Sequence, residues 1–212
     1  TDEFLANGLG AQYLTQLDKL IVVSMGTGTS FVKVDGPLIE HIGGIGIGGG
    51  TILGLSRLLL KTQDFHQIVK LALKGDITTI NLQIQDICNI PLPGLPLDAT
   101  ASTFGKAGAN SSQEDVALGI IYMVLQCIGQ SVILAALNSD IHNYVLIGNL
   151  TKLPQCESIF PRLEEMYGGH LVVKAFNGEE KSVKTFDEQN KKLYNAGWKA
   201  QFLSGLMQPI MG

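Results

Sequence analysis

Two glycine-rich segments hold the residues of this 212-residue chain best suited to chemistry. Gly48-Gly49-Gly50-Thr51 stands directly before the helical apolar pattern of Ile52, Leu55, Leu58 and Leu59. Glycine lets backbone amides come close to an anion, and the free amides and positive end of a helix favour that anion further. Gly26-Thr27-Gly28-Thr29 follows an apolar run and adds hydroxyls able to donate to a phosphate or a polar substrate. Neither segment has the GxxxxGK[ST] spacing of a Walker loop. On residue types alone each is equally a pair of tight turns.

The elements that must position these loops follow from periodicity. Asp2–Leu14 reads as helical, and Leu20-Ile21-Val22-Val23 as a strand running into the first glycine loop. Ser30–Val34 and Pro37–Ile42 make two further strands joined at Asp35-Gly36, a hairpin signal. A second helix spans Asp64–Leu73 and stops at Lys74-Gly75. Pro91–Pro96 is a turn, and Ala99–Ala109 is small and irregular. Ser111 and Ser112 with Glu114 and Asp115 cap a long helix over Gln113–Asn138, whose apolar stretch reads as buried within the protein. A strand at Tyr144–Ile147, a helix at Glu157–Tyr167 and a strand at Leu171–Ala175 complete an α/β alternation. Asn177–Lys192 reads as a charged insertion, and Trp198–Met207 as a last amphipathic helix.

Composition narrows the partners. The chain is 45% hydrophobic and 16% charged, as expected of a folded domain. Its net charge of −4 provides no global field for nucleic acid or an anionic membrane surface, so any anionic ligand must be held locally. Cys88, Cys127 and Cys156 have no CxxC spacing and read as reduced thiols of a cytoplasmic protein. His66, His142 and His170 lack ligand spacing, and no metal ligand set is expected. The first residue is Thr1, with no signal-peptide pattern after it, which reads as a fragment or a processed product.

Taken together, Val23–Ser30 and Gly43–Thr51 resemble the paired loops of type II pantothenate kinases. Lys74-Gly75-Asp76, Ser102-Thr103-Phe104-Gly105 and Val145–Asn149 agree in order and spacing, and Glu3 with Gly10, Tyr13 and Leu14 is similar to the family's first helix. The resemblance covers roughly residues 3 to 175. It implies an α/β, ribonuclease-H-like actin/sugar-kinase (ASKHA) fold, with residues 1–17 a remnant of the N-terminal small lobe and 18–212 the large, C-terminal lobe that carries the nucleotide-binding loops.

The activity implied is ATP-dependent phosphorylation of pantothenate to 4'-phosphopantothenate, the first step of coenzyme A biosynthesis, with Mg²⁺ bridging the phosphates. Glu3 would be the catalytic base, and Thr27 would lie near both substrate and phosphate. Gly26, Gly28, Gly48, Gly49, Gly50, Thr51, Ile52 and Leu53 would follow the phosphates, Phe65 would flank the nucleotide, and Gly148 and Asn149 would form the adenosine turn. The resemblance also implies a homodimer and acyl-CoA as a feedback ligand.

Three departures bear on activity. The family's N-terminal Asp-x-Gly-Gly-Thr hairpin is not among the 212 residues. His41 stands where the family places an arginine for the substrate carboxylate, and an imidazole cannot make that bidentate fork. The tail matches the family's closing helix poorly. Two alternatives therefore stand beside the kinase: a non-catalytic relative that binds nucleotide or acyl-CoA, and a kinase of the same superfamily with another acceptor.

Overall fold

A seven-residue strand, β1 (Lys19–Met25), is apolar at nearly every position because both of its faces are covered. Ile21, Val23 and Met25 enter one core, while Leu20 and Val22 enter a second, smaller one. The computed structural model describes residues 2–88, 90, 95–167 and 171–173.

Helix α1 (Glu3–Thr15) starts at Asp2, whose carboxylate accepts the Phe4 amide at 3.0 Å. It packs across β1, β2 (Thr29–Asp35) and β3 (Leu38–Ile45), closing the smaller core with Ala11 and Phe4. The three strands form an antiparallel meander, and its second turn uses Gly36 at φ +58°, a conformation that suits glycine.

Helices α2 (Gly49–Leu59) and α3 (Phe65–Ala72) follow on the other face of the sheet. A short α4 (Ile77–Ile80) begins at Asp76, and β4 (Leu82–Gln83) pairs antiparallel with β5 (Thr100–Ser102). Thus Ala99–Ala109, expected to be irregular, contains a three-residue strand. It forms because the amide of Ile84 bonds to Ala99 and the Gln83 side chain to Asp98, which fixes the two segments side by side.

The long helix α5 (Gln113–Ala136) is capped by the Ser112 hydroxyl, which accepts the Asp115 amide at 3.0 Å. Ile120, Ile121, Val124, Leu125 and Ile128 are fully buried, each side chain contributing about 1.5–3 kcal/mol of burial free energy. By length and composition α5 is apolar enough to cross a membrane, but the partners that hold it here are α2, α3, α4 and α6 (Cys156–Tyr167). Two parallel strands, β6 (Asn143–Ile147) and β7 (Leu171–Val173), finish the five-stranded sheet in the order β3-β2-β1-β6-β7. Residues 91–94 of the expected proline turn, the end of the last expected strand, and the expected insertion and final helix lie outside the described residues.

Candidate functional site

Ser24 on β1 is in register with Ile147 on the parallel β6, so the loops leaving these two strands emerge side by side at one end of the sheet. Gly148 makes the second loop possible. It sits at φ +96°, and a Cβ there would overlap the Met25 carbonyl at the end of β1. Only a residue without a side chain allows that approach.

The N-terminus of α2 is tied down onto the first loop. The Gly49 amide donates to the Gly26 carbonyl at 2.8 Å, and the Gly50 amide to the Thr27 carbonyl at 2.9 Å. The next two amides, of Thr51 and Ile52, donate to Gly48 at 3.0 and 3.2 Å. The Thr51 hydroxyl accepts the Gly48 amide at 3.1 Å. The four amides that a helix start leaves over are therefore all used within the protein. This corrects the expectation that they are free for an anion: here the glycines serve the contact between the loops. A Cβ on Gly48 would stand 2.7, 2.8 and 2.9 Å from the carbonyl oxygens of Thr27, Gly28 and Gly26. The amides of Thr27 and Gly28 take no part in the bonds that join the loops, and Thr27 is exposed.

Beside these loops opens a cleft of about 800 Å³. Of the residues singled out in the sequence, Gly26, Thr27, Gly49, Gly50, Leu53, Phe65 and Asn149 line it. Gly28, Gly48, Thr51, Ile52 and Gly148 do not line it, and the Ile52 side chain is fully buried in the larger core. Six lining residues had not been singled out: His66, Val69, Lys70, Leu150, Lys152 and Leu153. The signal for the α3 members was present in the spacing. Phe65 with Val69, and His66 with Lys70, are each one helical turn apart, which gives α3 an apolar row beside a basic one. The lining contains no aspartate or glutamate.

Glu3 and His41 lie elsewhere. Glu3 is exposed in the first turn of α1, and the next residue, Phe4, stacks on the His41 ring with centroids 4.2 Å apart and planes 17° apart. That stack brings the two residues to one patch beside β3, and neither lines the cleft.

The Fumble family model matches residues 15–157, more than half of the chain. A second model, described as ABC transporter transmembrane region, matches residues 157–212, most of which lie outside the described residues. Among curated proteins, pantothenate kinase 2 of Arabidopsis thaliana is 36% identical over 127 residues, covering 55% of this chain and 14% of that protein. A type II pantothenate kinase of Staphylococcus epidermidis is 38% identical over 109 residues, covering 49% of this chain and 41% of its own length. The chain thus spans less than half of either relative. Among solved structures, the ROK hexokinase of Thermus thermophilus superposes with a TM-score of 0.55 at 12% identity, over 84% of this chain and 61% of that one. The fold is accordingly of the actin/sugar-kinase type expected from the sequence.

Proposed function

The chain belongs to the Fumble family of type II pantothenate kinases, and from that membership we propose that it carries out ATP-dependent phosphorylation of pantothenate. The observation that carries the proposal is the cleft itself. It opens where β1 and β6 end, between the glycine loops and α3, with Phe65, Val69, Leu150 and Leu153 as an apolar lining for a flat base.

In this reading the adenosine lies toward Asn149 and Phe65, and the phosphates toward the hydroxyl and amide of Thr27. Glu3 accepts the proton of the pantothenate hydroxyl as its oxygen attacks the γ-phosphorus. The bond from that phosphorus to the β,γ-bridging oxygen breaks, and ADP leaves. His41 faces the acceptor carboxylate, to which an imidazole offers a single N–H rather than a fork. Residues 1–17 then act as the acceptor side of the site, and the large lobe as the nucleotide side.

The family resemblance also implies Mg²⁺. No carboxylate lines the cleft, and no group of three or more His, Cys, Asp or Glu suited to a metal exists among the described residues. The lining does not fit such an ion, and no step is assigned to it. A cytoplasmic homodimer and acyl-CoA as a feedback ligand belong to the same proposal.

The test is calorimetric titration of the chain with ATP and then pantothenate, followed by an assay for 4'-phosphopantothenate. Binding with product formation is expected. Binding without product would leave a nucleotide-binding relative in place of a kinase, and product from a different acceptor would replace pantothenate.

A further inference from the structure

The chain is acidic overall, with a net charge of −4, yet the cleft is lined by Lys70, Lys152 and His66 and by no acidic side chain. A basic cleft in an acidic protein concentrates an anion there against the field of the whole molecule. Two lysines outside the cleft are held in ion pairs, Lys19 with Asp35 and Asp140, and Lys106 with Asp86 at 2.7 Å. Lys70 forms no ion pair among the described residues. It is exposed on α3, one turn beyond His66 and next to Val69 on the cleft lining.

The amides at the start of α2 are spent, while those of Thr27 and Gly28 in the first loop are not among the bonds that join the loops. Those of Gly49 and Gly50 bond to Gly26 and Thr27, and those of Thr51 and Ile52 to Gly48. A polyanion in this cleft therefore gains no charge compensation from the helix start and draws on the first loop and on side chains. Lys152 ends the 3-10 turn Asn149–Lys152, which contributes Asn149 and Leu150 to the lining. The cleft is thus flanked by cations carried on two separate elements.

The geometry points to Lys70, together with Lys152, as the side chains that reach across the cleft to the phosphate chain of the nucleotide and add their charge to the hydroxyl and amide of Thr27. The inference rests on the proposed nucleotide site and adds the source of its selectivity for a triphosphate. Lysine suits this role because its ammonium group donates in three directions on a flexible stem and can follow a phosphate through transfer.

The experiment compares ATP with adenosine, by calorimetry, on the full chain and on Lys70→Gln, Lys152→Gln and the double variant, at low and at high salt. Lys70→Gln is expected to weaken ATP about tenfold and to leave adenosine within about twofold, since only the charged ligand loses a charge-assisted bond. The double variant should lose most of the salt dependence of ATP binding, and Lys70→Arg should recover most of the affinity. Unchanged thermal midpoints would exclude unfolding as the cause. Equal weakening of ATP and adenosine, or a double variant that retains full ATP affinity, overturns the inference while leaving the nucleotide site intact. Failure of the unaltered chain to bind either ligand removes the nucleotide site and the inference with it.

Discussion

The carbonyl oxygen of Thr27 accepts the amide hydrogen of Gly50 across 2.9 Å, so the residue best placed to meet a ligand is fixed to the first turn of α2. The neighbouring Gly49 bond to Gly26 makes the contact a double one. Changes in either loop therefore reach the cleft through backbone bonds.

Gly48→Ala tests that contact. The added methyl would press on three carbonyl oxygens at 2.7–2.9 Å, and backbone oxygens cannot swing aside as a side chain can. The loops must part, at a cost of about 1–3 kcal/mol. Urea unfolding should show the lowered midpoint, together with weaker ATP binding. An unchanged midpoint would mean that the loops are not fastened as described.

Asp115 links the start of α5 to the start of α4. Its carboxylate accepts the Asp76 amide at 2.7 Å, and this bond, followed by that of the Ser112 hydroxyl, holds its pKa below the usual carboxylate value. A depressed pKa stabilises the fold at pH values above the unfolded carboxylate's, about 3.9, and the contribution disappears as pH falls through the folded value. Asp115→Asn should therefore be less stable than the unaltered chain at neutral pH, and the difference should shrink steadily below about pH 4. Denaturant midpoints across that range check the sign; a gap that widens in acid would refute it.

Glu3→Gln keeps the shape of the first turn of α1 and removes the proton acceptor. Phosphoryl transfer should fall by about a hundredfold or more, while calorimetric ATP affinity holds, because Glu3 does not line the cleft. Undiminished turnover would take Glu3 out of the reaction.

Phe4→Ala removes the ring stacked on His41, a contact of about 0.5–1.5 kcal/mol. With His41 no longer held, KM for pantothenate should rise and the ATP dissociation constant should stay constant. A change confined to ATP would separate His41 from the acceptor.

Local signals in the chain were enough for the scaffold. Asp35-Gly36 does turn the hairpin, Ser112 does cap the long helix, and the apolar run before Gly26 is the central strand. The short pairing of β4 with β5 was not legible, because two- and three-residue strands have too little periodicity and depend on long-range bonds such as that of Ile84 to Ala99. At the site, a glycine run announces that something approaches the backbone closely. It does not say whether that neighbour is a ligand or another loop, and around Gly48 it is the loop. Lys70 and Lys152 were missed for the opposite reason: a lone lysine reads as a solvated surface residue until the fold sets α3 beside the turn that follows β6.

The alternation along β1, with Ile21, Val23 and Met25 on one side and Leu20 and Val22 on the other, has a kinetic meaning. Its hydrogen bonds run to β2 on one flank and β6 on the other, so its full set of amides meets water only if both neighbouring strands let go. In deuterated water these amides should be the slowest in the protein to exchange, at a rate that reports global unfolding, while those of the edge strand β3 exchange earlier by local opening.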